Sequence, residues 1–331
     1  MSATRDLANL AARFDADRRH LRSVAFQLLG SVADAEDAVQ SAWLKASRAD
    51  FDAVENLSGW FTTITAREAL DQLRVRKRRA EQPLAGTDEL DRLAQTASPP
   101  ADEDALLAES VSGALLVVLD RLSPAQRVAF VLHDVFAMTF EQIAAVMHRS
   151  PDATKKLASR ARGRLHPDPA VAGRRTAHHL KVVEAFLAAS RGGDIAGLLE
   201  LLAPEVVRTV DPALVPADVP STLRGAREVA AETRRFALRA RAGAVMLIDG
   251  APGIVLAVRG RAQVLLVIGI GADSRIHTID ITGNAERIRR TALTLPQWPI
   301  QEDHKLIGYQ GRQTPSAGEP ATGQDRESHA R

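Results

Sequence analysis

Leu122-Ser123-Pro124-Ala125-Gln126-Arg127, then Thr139-Phe140-Glu141-Gln142-Ile143-Ala144, then Ser150-Pro151 running on to Lys155-Lys156 and Ser159-Arg160, is the stretch that decides how this chain folds. Ser123 can cap a helix, with Pro124 at its first position and Gln126 placed to return the bond to the cap. Thr139 and Gln142 repeat that box, and Ser150-Pro151 repeats the cap and proline. The helix opened at Thr139 is short, and His148-Arg149 lead at once into the next cap. A short helix, a tight turn and a second helix carrying cations on successive turns predict a helix-turn-helix. Lys155, Lys156, Ser159, Arg160 and Arg162 are then the residues that reach guanine edges and phosphates.

Outward from this stretch the chain divides by composition. Upstream, Leu21, Val24, Ala25, Leu28 and Leu29 recur at helical spacing in a segment that continues to about residue 80. Residues 81–108 lose the period among acids and prolines and predict a linker. Downstream of 109–168, Pro167 and Pro169 break the pattern. Helices are then expected over Ala177–Ser190, from Gly193-Asp194 to Leu202 and near Ala226–Phe236. The pattern continues with Val206–Val210, and β-branched runs bounded by glycine at Val245–Ile248, Ile254–Val258, Val264–Ile270 and Ile276–Ile281 predict a meander or curved sheet. A tail over 293–331, rich in Gly, Pro, Gln and Ser beyond Pro296, predicts disorder.

The 331 residues carry a net charge of only +2, so clustering matters more than total charge. Arg67, Arg74, Arg76, Lys77, Arg78 and Arg79 form one basic run and Lys155 to Arg164 another, while Asp34, Glu36 and Asp37 concentrate negative charge. Without cysteine there is no disulfide, zinc ribbon or thiol nucleophile. No apolar run approaches a membrane span, and the expectation is a cytoplasmic protein without membrane association.

The helix-turn-helix stretch resembles region 4 of RNA polymerase sigma factors, which reads the minus-35 promoter element. Gly30-Ser31, Asp34-Ala35-Glu36-Asp37-Ala38-Val39-Gln40 and Ala42-Trp43 resemble region 2 of the extracytoplasmic-function class. The resemblance implies that Asp34, Glu36, Asp37 and Gln40 dock on core RNA polymerase, with the beta-prime clamp and beta flap as partners. It also implies that Asn56, Trp60, Arg67, Arg74, Arg76 and Lys77 capture promoter DNA at minus-10. Amide, aromatic and guanidinium groups suit unstacked bases and phosphates; Trp60 and Phe61 equally suit a core.

The segment 172–292 looks like a SnoaL-like domain of the NTF2-like fold, a cone of curved antiparallel sheet with helices across it. The whole then resembles a subgroup of extracytoplasmic-function sigma factors in which this domain modulates activity in cis through contact with the sigma modules. Two places depart from that subgroup: Asp211 is followed by Pro212-Ala213-Leu214, and Asn284-Ala285-Glu286-Arg287 stands where an Asn-Pro-Asp-Lys-type motif is usual. The expected fold class is two all-α modules, over 1–80 and 109–168, plus an α+β domain.

Asp211, His277 and Asp280 are candidate pocket residues there, since enzymes of this fold use a buried Asp or His in proton transfer. The leading expectation is promoter-specific initiation by binding, with no catalytic residue and no cofactor. The His178-His179 doublet has no third ligand at suitable spacing, so no metal site is expected. A one-component DNA-binding regulator with a ligand-sensing C-terminal domain is the alternative, and a polyketide-cyclase-type enzyme the third reading.

Overall fold

The computed structural model describes residues 2–79, 113–165, 174–258 and 260–296; the expected linker and the tail from 297 lie outside them. The first module packs α1 (Ser2–Leu29), α2 (Val32–Ala46) and α3 (Leu57–Arg79) against one another. The predicted stripe on α1 is wholly buried, and Phe61 of α3 is buried with its ring edge-on to Phe14 at 5.0 Å. Trp60 is half-buried beside it. Phe61 is thus core, as its ring geometry and burial show.

The second module comprises α4 (Gly113–Asp120), α5 (Pro124–Phe130), a π-helical turn over Val131–Val135, α6 (Phe140–Met147) and α7 (Pro151–Leu165). Both predicted capping boxes close, Ser123 with Gln126 and Thr139 with Gln142. The Ser150 hydroxyl accepts the Ala153 N–H at 3.2 Å. His148 ends α6 in the left-handed region, φ 53° and ψ 52°, and this turn sets the angle between α6 and α7. On α7, Thr154, Ala158, Ala161 and Leu165 are buried.

The C-terminal domain begins with α8 (Arg174–Gly192) and α9 (Ile195–Leu201), the latter capped by Asp194. Strands β1 (Leu202–Val210) and β2 (Thr222–Arg224) precede α10 (Ala226–Arg235) and α11 (Ala237–Ala240). Strands β3 (Gly243–Ile248), β4 (Ala251–Val258), β5 (Arg261–Ile270) and β6 (Ile276–Thr282) form the meander, followed by α12 (Ala285–Arg290) and β7 (Leu293–Thr294). The sheet order is β2-β1-β6-β5-β4-β3-β7.

Two expectations need correction. The sheet is mixed, because β1 runs parallel to β6 while the other pairs are antiparallel. Alternation along a strand fixes its faces and not its direction relative to a distant partner. The chain also stays ordered past 292: β7 pairs with β3, and Leu293 and Leu295 are buried.

The β3-β4-β5 wall has two apolar faces. Ala244, Met246, Ile248, Val255 and Leu265 share one buried cluster with Val117 and Val118 of α4 and with the core of the first module. Their neighbours Ile254 and Ile268 belong to a second cluster with Val183, Phe186 and Leu187 of α8. Gly260, at φ +77°, lets the β4-β5 turn approach α4; a Cβ there would lie 3.0 Å from the Leu116 carbonyl oxygen.

Replacing His148 by Gly removes the Cβ penalty of the left-handed turn. The expected result is a second module stabilised by about 1 kcal/mol, read as a higher midpoint in thermal unfolding followed by amide exchange across α6 and α7.

Candidate nucleic-acid interface and its arginine latches

The cationic face of α7 is open. Lys155, Lys156, Ser159 and Arg160 are exposed, opposite the buried Thr154–Ala158–Ala161 face. Arg162 braces the helix instead, its Nε donating to Asp134 Oδ1 of the π-helical turn at 2.7 Å. Arg164 donates to Gln126 Oε1 at 3.2 Å, which ties α7 to the first capping box. Two cations thus hold the helix in place, and the predicted contact residues other than Arg162 point outward.

Residues expected to meet minus-10 DNA are less free. Asn56 Oδ1 accepts the Gly59 N–H at 2.9 Å and opens α3. Arg74 pairs with Asp71 at 2.9 Å, Lys77 is exposed, and Arg76 bridges Asp34 while donating to the Leu29 carbonyl at 2.8 Å. Arg67 points into the second module, where Nη2 donates to the Ala145 carbonyl at 2.8 Å and Nε reaches the Val146 carbonyl at 3.4 Å. These carbonyls end α6, where the helix dipole concentrates negative potential and backbone acceptors lack intrahelical donors.

On α2, Asp34 binds the Ser31 cap through its N–H and pairs with Arg76 through its carboxylate. Glu36, two residues on, pairs with Arg18 and Arg22 of α1, whereas Asp37 and Gln40 are exposed. The structure therefore gathers the four expected polymerase-facing residues on one helix, with two already in ion pairs and two open.

Two arginines that the sequence reading left without a role fasten the modules from the other side. Arg127 is buried and donates to the Gln27 carbonyl in the last turn of α1 at 3.4 Å. Burial pulls its guanidinium down to about 10, with Asp120 opposing the shift. Arg121 of the second module donates to the Ile288 and Arg289 carbonyls at 2.7 and 3.2 Å, closing the end of α12 in the C-terminal domain. The Leu295 N–H meets the last carbonyl of α7, that of Leu165, at 3.1 Å. The signal for this role is positional: Arg121 follows the apolar run 114–119 and Arg127 precedes the apolar run 128–132, where a solvated cation has no obvious place.

The C-terminal candidates lie apart from the domain's cavity, and none of the three lines it. Asp211 accepts from Thr282 Oγ1 at 2.7 Å and from the Gly283 N–H at 2.8 Å, fixing a turn. Asp280 accepts from Thr209 on the strand face opposite Ile279 and Ile281. His277 lies 3.0 Å from Asp273 at the β5-β6 turn, and its hydrogen bond holds the Asp273 carboxyl below the usual range. His178 meets Ser274 Oγ at 2.8 Å. Among the described residues no group of three His, Asp or Glu could hold a metal, and no helix is long and apolar enough to cross a membrane.

Two linked helical modules, one a helix-turn-helix with an open cationic face, define a DNA-recognition protein with a fused α+β domain. Family models agree: residues 13–79 match Sigma-70 region 2 and residues 112–165 match Sigma-70, region 4. The chain is 40% identical over 210 residues, 60% of its own length, to the ECF RNA polymerase sigma factor SigJ of Mycobacterium tuberculosis, spanning 64% of that relative. It is 34% identical over 61% of its length to the probable ECF RNA polymerase sigma factor SigI of the same species, spanning 70% of it. The crystal structure of M. tuberculosis SigJ aligns at 31% identity over 84% of this chain and 98% of that one, with a TM-score of 0.40. The chain belongs to the ECF RNA polymerase sigma factors, a family of transcription regulators.

Arg67→Leu leaves the α6 carbonyls without their cation. Because the guanidinium is only half-buried, the expected loss is about 1 kcal/mol, seen as faster amide exchange in α6 with that in α1 unchanged.

His20 of α1 packs edge-on to Phe136 at 5.6 Å across the same junction. Burial lowers its pKa, against Asp17, so the folded form binds a proton less readily than the unfolded chain. The stability it supports is present above the ordinary histidine pKa and is lost as pH falls from there toward the lower folded value. Acidification is expected to loosen the α1–Phe136 contact, and His20→Phe to flatten that dependence, measured by amide exchange against pH.

Proposed function

We propose that this chain directs promoter-specific transcription initiation by joining core RNA polymerase, in the cytoplasm, and that the arrangement described is its closed form. The observation that carries the reading is the exposed cationic face of α7 within a fully capped helix-turn-helix. Lys155, Lys156, Ser159 and Arg160 serve minus-35 DNA, with Arg162 holding the helix. Asp37 and Gln40 make the first contact with polymerase at its beta-prime clamp, Asp34 and Glu36 following once their arginines are released, and the beta flap receives the second module. Asn56, Trp60, Arg67, Arg74, Arg76 and Lys77 serve minus-10 DNA.

The closed form cannot do all of this at once. Promoter elements some 25 base pairs apart are separated by roughly 85 Å of B-DNA at about 3.4 Å per pair, whereas Arg67 holds the two modules in direct contact. Opening exchanges the α6 carbonyls for DNA phosphates at Arg67. The SnoaL-like C-terminal domain bears on that step, because Arg121 and α4 tie it to the second module.

Run-off transcription with purified core polymerase on a promoter library tests this. Arg160→Ala and Asp37→Ala are each expected to reduce transcript by tenfold or more, about 1.4 kcal/mol. Sequence-specific DNA binding without engagement of core polymerase would favour a one-component regulator instead.

A further inference from the structure

The C-terminal domain holds a half-open cavity of about 110 Å³. Its apolar wall includes Phe186, Leu187, Leu256, Leu266, Ile279 and Ile281, with Leu256, Leu266 and Ile281 left partly exposed because they face its open space. This is somewhat smaller than the ~150 Å³ apolar cavity that accepts benzene, so a single ring fills it and any short substituent reaches toward its open side.

The polar residues of the wall decide the ligand's charge. Arg208, 2% exposed, donates Nε to Glu232 Oε2 at 2.8 Å, Nη1 to the Pro220 and Ser221 carbonyls at 2.9 and 3.2 Å, and Nη2 to the other Glu232 oxygen. The pair cancels its own charge and is held by four bonds. Arg239 donates to the Leu214 carbonyl at 2.8 Å and stands 4.9 Å from the Phe236 ring centre. An anion entering beside the Arg208–Glu232 pair would meet a pair already neutral and would be desolvated there without a counter-charge, which is costly. The Thr233 hydroxyl donates its hydrogen to the Val229 carbonyl at 2.7 Å, which leaves its oxygen able only to accept.

We propose that this cavity binds an uncharged, largely apolar small molecule carrying one hydrogen-bond donor, which Thr233 Oγ1 accepts. The site stands independently of the transcriptional reading, since none of its residues belongs to the helical modules.

Isothermal titration of the full chain with 3-phenylpropan-1-ol, its methyl ether and 3-phenylpropionate tests it. The alcohol is expected to bind at least about tenfold more tightly than the carboxylate. Thr233→Val should weaken the alcohol severalfold and leave the ether unchanged, and Leu266→Trp, which fills the space, should abolish both. Val210→Phe fills the cavity from β1 and replaces Leu266→Trp if circular dichroism shows that variant unfolded. Absence of saturable binding by either neutral probe, tighter binding of the carboxylate, an alcohol affinity untouched by Thr233→Val, or binding that survives filling would each overturn the proposal.

Discussion

Helix C-termini are the points on which this architecture turns. An α-helix ends in carbonyls with no donor of their own and with the negative end of its dipole, and here those ends are closed by donors from a neighbouring module. Arg67 closes α6, Arg127 reaches into the last turn of α1, Arg121 closes α12, and the Leu295 N–H meets the last carbonyl of α7. A guanidinium suits the task because its planar fork can serve two adjacent carbonyls, as Arg67 and Arg121 both do. Each contact is modest by itself, so the closed arrangement is a sum of weak latches over a shared apolar cluster. That makes it reversible by a competitor that is richer in negative charge.

The same economy explains the C-terminal sheet. Residues of β3, β4 and β5 alternate between the interior cluster and the face covered by α4, so one layer of backbone separates the cavity from the junction with the second module. Packed layers transmit strain because interiors are dense. A domain attached in this way is placed to influence the helical modules without touching the open face of α7.

Local chemistry was legible in the sequence; long-range partnership was not. The boxes at Ser123–Gln126 and Thr139–Gln142 close within three residues, so spacing alone sufficed to place α5 and α6. The buried stripe of α1 likewise followed from a period of three and four. Arg67 was recognisable as a significant cation, yet its acceptors lie 78 and 79 residues away and exist only once α3 packs on α6. Arg208 sits in a strand and finds its counter-ion on a helix 24 residues later, which no alternation pattern encodes. Residue type alone singles out Asp211, His277 and Asp280, while the face each occupies depends on the register of β6 against β1 and β5.

On this reading the two helical modules are latched together in the free chain and part to span a promoter. The absence of native cysteine allows two unique labels, Glu55→Cys beside α3 and Asp152→Cys at the start of α7. Their separation can be measured by double electron–electron resonance in the free chain and in the complex with core polymerase and promoter DNA. One short distance is expected in the free chain, lengthening by tens of ångströms in the complex, in keeping with elements roughly 85 Å apart. An unchanged distance in a complex that initiates transcription would contradict it.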